Sequence, residues 1–246
     1  MFNEDIKLLK KEFEKIKKLE LVKSLRKGST GVGFTFETLL NKKEDQESKP
    51  DFRSIELKCK MGYSKSPLTL FCCIPERDGL SAIKYIFETY GKNYTRNKIK
   101  YKMFSREVFS KQPLKKRGYE FRLKVDYLRL EITLKSYYNG FFVENVCKWN
   151  FKTIEKKLKE KIIHLAIIQA YPYIRNQELY YKYVKINFYK LKGYYEFLQL
   201  IENDKIFVKF YMKSKSKTDE GKIDNHGVAF RIKNEHIEEL FYKIKH

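Results

Sequence analysis

The chain has 246 residues, 42% of them hydrophobic and 34% charged, so a real core can be buried and a disordered chain is not expected. Lysine and arginine exceed aspartate and glutamate by 53 − 31 = 22, which points to a polyanionic partner, most simply nucleic acid. An AT-rich genome would also enrich Lys, Ile, Asn, Tyr and Phe, but does not by itself demand so large an excess.

Residues 4–23 read as an amphipathic helix, with Ile6, Leu9, Phe13, Ile16 and Leu19 at helical spacing among lysines and glutamates. This charged N-terminal stretch is not a signal peptide. A glycine-rich turn, RKGSTGVGF, runs from Arg26 to Phe34, and a second helix is expected from about Thr35, carrying Phe36, Glu37, Leu39 and Leu40. Residues 41–50 are polar, end in Pro50 and read as a loop. Residues 51–61, DFRSIELKCKM, alternate strictly from 54 to 60, as a strand does; 66–74 is a second strand and its expected hairpin partner. Residues 80–90 look helical, and 91–118 are basic with little periodicity. Residues 119–135 suggest two strands, and Asn139-Gly140 a turn into FFVENVCKW. A Lys- and Glu-rich helix at 151–161 precedes an apolar run, IIHLAIIQAY, that reads as a central buried strand. That run is too short, and interrupted by His164, to cross a membrane. Residues 178–202 are Tyr-rich and partly helical, 205–213 alternate, 213–225 form a polar loop, 226–232 turn into a strand, and 234–243 form a short helix. The order of elements argues for a mixed α/β or α+β core. Cys59, Cys72, Cys73 and Cys147 form no C-x-x-C pair and no zinc spacing, as expected of reduced thiols in a cytosolic protein; Cys72 and Cys73 would point to opposite faces of their strand.

The chemistry concentrates in Asp51, Glu56 and Lys58. Residues 56 and 58 share one face of a strand, and a bend at its entrance would bring Asp51 alongside Glu56. Phosphodiester hydrolysis needs such groups. Two carboxylates suit Mg²⁺, the metal polarises the phosphate and acidifies a water, and a lysine positions that water and offsets charge. E-x-K alone is weak evidence. It occurs at Glu47/Lys49, Glu56/Lys58, Glu155/Lys157 and Glu220/Lys222, and only the second sits on an alternating strand behind an Asp. The competing explanation is an exposed strand face laced with cross-strand charges. Gly28, Gly31 and Gly33 ahead of the Glu37 helix would let backbone approach a phosphate, although the turn lacks the G-K-[ST] ending of a P-loop and a plain inter-helix turn explains it equally well. In DNHGVAFRI, His226 and Arg231 are of the types that read base edges, or else a loop histidine and a strand-edge arginine. The segment 180–197, YYKYVKINFYKLKGYYEF, suits either core aromatics or a DNA channel, and the lysines and arginines of 91–118 and 209–222 are expected to face phosphates.

Three segments, RKGSTGVGFTFETLL, PDFRSIELK and HGVAFRI, together resemble in order the MvaI/BcnI group of type II restriction endonucleases, relatives of the repair nickase MutH within the PD-(D/E)-x-K class. The D-x4-E-x-K spacing of Asp51, Glu56 and Lys58 is that of the group; the likeness is strongest in 26–75 and 221–232 and is not matched motif by motif in 91–160. The resemblance implies a restriction-endonuclease-like α/β core, a mixed β-sheet flanked by helices, forming a two-lobed clamp around DNA. The catalytic lobe would be built around 20–90 plus 150–172, and the recognition lobe around 91–150 and 173–246. It implies Mg²⁺, with Mn²⁺ as substitute, held by Asp51 and Glu56; Lys58 serving the water; and Glu37 supporting the site. His226, Arg231, Lys27, Ser29 and Thr30 would contact DNA. Phe34 departs from the pattern, standing where a relative has a lysine. The implied enzyme is a cytoplasmic prokaryotic monomer. It nicks the two strands of double-stranded DNA in turn at a short CC-N-GG-type site, beside a cognate methyltransferase with which it forms no stable complex. A MutH-like nickase and a non-catalytic basic DNA-binding protein are the alternatives; the first would leave nicked circles, the second would bind every sequence with steep salt dependence.

Overall fold

The computed structural model describes residues 2–41, 49–96, 99–111, 118–214 and 223–245, with only the backbone of Arg96 and His226. In chain order its elements are α1 (Phe2–Lys18), β1 (Val22–Lys23), α2 (Gly31–Leu39), β2 (Glu56–Met61), β3 (Leu68–Cys72), α3 (Ala82–Tyr90), β4 (Lys92–Arg96), β5 (Ile99–Val108), β6 (Tyr119–Asp126), β7 (Glu131–Tyr138) and β8 (Phe141–Asn150). They continue with α4 (Phe151–Lys161), β9 (His164–Arg175), β10 (Glu178–Leu191), α5 (Tyr194–Glu202), β11 (Ile206–Ser214), β12 (Ile223–Ile232), α6 (Ile237–Leu240) and β13 (Phe241–Ile244).

The contacts divide the chain into two compact units. The first comprises Met1–Ser66, Lys157–Lys192 and Ile237–His246; the second comprises Pro67–Lys156 and Gly193–His236. Residues 67–90 therefore fall in the second unit and 173–192 in the first, unlike the lobe boundaries expected from the sequence. Strand pairing gives the reason. β10 is the antiparallel partner of β9 along its length, and β3 pairs with β12.

In the first unit, β9 lies between β10 and β2, and β10 also carries β1 and β13. The apolar run of β9 is central, as its sequence predicts, and pairs in parallel with β2, with Glu56 opposite Leu165 and Lys58 opposite Ile167. The expected hairpin of 51–61 with 66–74 does not form, because β3 belongs to another sheet. The stripe Ile6, Leu9, Phe13 and Ile16 on α1 packs with Val32 and Phe36 of α2 against Leu57, Ala166, Ile168, Tyr181 and Tyr183. Glu4 and Asp5 in the first turn of α1 and Lys15, Lys17 and Lys18 in its last turn complement its dipole. The helix is shorter than expected: the chain leaves it at Leu19, which is exposed, through Glu20 at φ 57°.

In the second unit an antiparallel sheet of order β3-β12-β11-β5-β4 accompanies the meander β6-β7-β8. The meander turns at Asn139 and Gly140, φ 50° and 85°, as an Asn-Gly hairpin should. Its core is aromatic, with Phe71, Trp149, Phe197, Phe210 and Phe230 all buried, and the Trp149 indole donates to the Cys73 carbonyl at 3.0 Å. Glu144 accepts from the hydroxyls of Tyr85 and Tyr90, each at 2.5 Å. Burial works against the Glu144 charge, but these donors and Arg77 outweigh it and hold the carboxyl below its ordinary value. Cys72, the last residue of β3, is exposed and Cys73, just beyond the strand, is buried; none of the four cysteines is in a disulfide.

Residues 92–96 and 99–108 form the paired strands β4 and β5, and 178–202 are partly helical as expected, with β10 followed by α5. One further expectation is corrected: 234–243 hold a 3₁₀ turn, the short α6 and part of β13 instead of a single short helix. No described helix is long and apolar enough to cross a membrane.

The second helix begins at Gly31, earlier than expected, and only glycine fits at that position. A Cβ at Gly31 would lie 2.4 Å from the Arg26 carbonyl and 2.7 Å from the Tyr181 hydroxyl. Gly31→Ala should therefore cost about 1–3 kcal/mol, as overpacking does, and lower the melting temperature. A melt matching the parent protein would show that this approach is not tight.

Candidate active site

The site is assembled by a turn. Phe52 and Ile55 exchange backbone hydrogen bonds of 2.9 and 2.8 Å across Arg53, at φ 51°, and Ser54. The turn is anchored to α1, since the Ser54 hydroxyl donates to Asp5 Oδ2 at 2.6 Å and Arg53 reaches Oδ1 at 3.5 Å. The Ser54 hydrogen bond, aided by Arg53, holds the Asp5 carboxyl below its ordinary range despite burial. Emerging from the turn, the chain doubles back so that the Leu57 amide donates to Asp51 Oδ2 at 3.1 Å. Asp51 thus lies beside the start of β2, close enough to act electrostatically on both Glu56 and Lys58.

Glu56 is 1% exposed. Its Oε1 accepts from Lys58 Nζ and lies 3.6 Å from Lys161 Nζ, at the end of α4. Its Oε2 is buried and has no hydrogen-bond partner. Burial raises the Glu56 carboxyl to about 7; Lys58 and Lys161 pull it down, and Asp51 pushes it up. Burial also works against the Lys58 ammonium, but Glu56, then Asp51 and Glu37, outweigh it and raise its pKa. Lys58 is therefore held charged, as a donor rather than a free base. Burial pushes the Cys59 thiol far up, which argues against thiolate chemistry here.

Lys58 opens onto a cleft of about 330 Å³, lined also by Arg26, Ser29, Thr30, Phe34 and Glu37. The turn before α2 thus faces the same space as β2. Ser29 and Thr30 line the cleft. Lys27 is exposed and does not, and it is Arg26 whose guanidinium lies 3.8 Å from the Phe34 ring centroid and reaches the cleft. Glu37 stands near Lys58 but is not gathered with Asp51 and Glu56 as a third ligand; no group of three metal-ligating side chains occurs among the described residues. Arg231 and His226 lie on β12 in the second unit. Arg231 donates to the Pro67 carbonyl at 2.7 Å, with its Nε buried and unpartnered; the His226 side chain lies outside the described residues. In the Tyr-rich stretch Tyr181 and Tyr183 are core residues, and the Tyr183 hydroxyl donates to the Val32 carbonyl at 2.9 Å. Much of the basic segments lies outside the described residues: 97–98, 112–117 and 215–222. Sequence reasoning missed Arg26 and Lys161. The first was hidden by the more exposed Lys27 beside it. The second is legible only once β2 and β9 are known to run parallel, because the chain entering β9 then passes Glu56.

The carboxylates fit a divalent cation. A buried, unpartnered carboxylate oxygen is costly, and hard oxygen donors without nitrogen or sulfur suit Mg²⁺ or Mn²⁺.

Among solved structures the chain is similar to restriction endonuclease MvaI in complex with cognate DNA, at 29% identity over 97% of this chain and 96% of that one, with a TM-score of 0.87. It is similar also to MvaI in the absence of DNA, at 28% identity and the same coverage, with a TM-score of 0.61. No curated protein matches it. The mixed α+β fold is that of a restriction endonuclease. The profile of the MvaI/BcnI restriction endonuclease family matches residues 10–241, and the chain belongs to that family. It is accordingly a type II restriction endonuclease, a nuclease acting on DNA.

The buried Glu56 charge opposes folding in the metal-free protein. A carboxyl whose folded pKa is raised supports folding fully below its ordinary 4.5 and loses that support as pH climbs to about 7. Glu56→Gln should thus raise the stability of metal-free protein at pH 8 by roughly 1–3 kcal/mol, with the gain shrinking toward zero near pH 4. Denaturant titration in EDTA measures it. A variant less stable at pH 8 would mean that the two ammoniums more than offset the burial.

Proposed function

We propose that this enzyme cleaves both strands of duplex DNA, with Mg²⁺ or Mn²⁺, at a short C/G-rich near-palindromic site of the CC-N-GG type, acting as a monomer. The observation that carries the proposal is Oε2 of Glu56, an acceptor aimed at no protein donor, on the same carboxylate that holds Lys58 at a cleft. Asp51 and Glu56 would hold the ion. Once bound, the ion would polarise the scissile phosphate and acidify a water. Lys58, kept protonated by its acidic neighbours, orients that water and offsets charge developing on the phosphate oxygens. Ser29, Thr30 and Arg26 offer hydroxyl and guanidinium donors to phosphates on the opposite wall. Glu37 biases Lys58 toward its charged form from α2. The chain's +22 charge supports tight, salt-dependent attachment to the DNA backbone. MvaI, the similar enzyme of known structure, was solved with its cognate DNA, which supports a duplex as the partner here. Base reading is assigned to β12, where Arg231 and His226 lie.

Digestion of DNA of known sequence with Mg²⁺, followed by sequencing of the ends, should return one short site. Supercoiled plasmid should end as linear DNA; nicked circles as sole product would favour a repair-type nickase. Lys58→Ala should lower the cleavage rate at least a thousandfold while duplex affinity, by filter binding or gel shift, changes less than about threefold. Cutting by this variant at the normal rate would remove Lys58 from the chemistry.

A further inference from the structure

The site contains a second ammonium that the proposed reaction leaves unused. Lys161 ends α4 with its Nζ 3.6 Å from Oε1 of Glu56, the oxygen already bonded by Lys58, and its side chain is only 24% exposed. Oε2 remains bare. As formal charges, Asp51 and Glu56 are cancelled by Lys58 and Lys161, −2 against +2, and across the cleft Glu37 and Arg26 add one of each sign. Without Lys161 the same groups would carry a net negative charge and attract a dication far more strongly. A cation so close to a ligand oxygen, in a partly buried place, is poorly screened by salt.

We infer that Lys161 is a charge-balancing and positioning residue: it pins Oε1 of Glu56 and keeps the carboxylate pair from loading a divalent cation tightly until a DNA phosphate supplies the missing negative charge. Metal loading is thereby coupled to DNA binding, and the DNA-free enzyme stays largely unloaded. This rests on the metal chemistry proposed above.

The test is Mn²⁺ binding to the DNA-free protein at pH 8, followed by electron paramagnetic resonance of the free ion. Lys161→Gln and Lys161→Met should each bind Mn²⁺ at least fivefold more tightly than the parent, and Lys161→Arg, which keeps the charge, should stay within twofold of it. Thermal melts establish that the variants are folded, and the methionine variant decides if the glutamine one is not. Affinities of both neutral variants equal to or weaker than the parent's would overturn the inference. The two readings fail separately. If cleavage proceeds undiminished in EDTA, the metal chemistry itself is lost. If cleavage needs Mg²⁺ and the neutral variants bind Mn²⁺ no better, only the role of Lys161 is.

Discussion

A carboxylate taken out of water, with one oxygen held between two ammoniums and the other left bare, is the constraint around which the first unit is arranged. Glu56 can occupy that position because β2 is the edge strand of its sheet. One side of β2 pairs in parallel with β9, and on the other the Leu57 amide is taken by Asp51 Oδ2 instead of a neighbouring strand. Had β3 formed a hairpin with β2, as the sequence leads one to expect, that amide would belong to a ladder and Asp51 would have no seat. The edge is thus left open for chemistry, and a side chain covers the donor that an open edge exposes. The second carboxylate of the site is at once an edge cap and a ligand candidate.

The same edge placement explains what could be read in advance. Local patterns were legible: the stripe of α1, the apolar run of β9, the Asn139-Gly140 turn, and the one E-x-K that lies on a strand behind an aspartate. Each depends on residues within a turn or two of one another. What depended on pairing at a distance was not. β4 and β5 show little alternation because most of their side chains are exposed or half-buried, so neither face imposes a period. The β9–β10 hairpin turns at Asn176-Gln177, φ 51° and 61°, without the glycine that usually marks such a turn. Lys161 is one lysine among many until β2 and β9 are known to run parallel, since only then does the end of α4 arrive beside Glu56. Between Arg26 and Lys27 the sequence offers no choice; the Phe34 ring, which carries the Arg26 guanidinium, makes it.

Stability and site are coupled through the tyrosines of β10. Tyr181 and Tyr183 are fully buried, and both serve α2: the Tyr183 hydroxyl holds the Val32 carbonyl, and the Tyr181 hydroxyl lies where a side chain at Gly31 would have to go. The cleft therefore has one wall fixed by β9, through β2, and the other fixed by β10, through α2. The pairing of those two strands sets the width between Lys58 and the turn that faces it.

That pairing contains an irregularity. The register shifts between Tyr183 and Lys185, opposite Ala170 and Gln169, so Val184 is an extra residue. In a regular strand side chains alternate, and Tyr181 and Tyr183 facing the core would send Ile186 and Phe188 away from it. The bulge reverses the parity, so that all four join the core formed with α1 and α2. One inserted residue thus lets a single long strand fill the core with its C-terminal half while its N-terminal half holds the loop and helix that face Lys58. Deleting Val184 would force the strand to give up one of those two tasks.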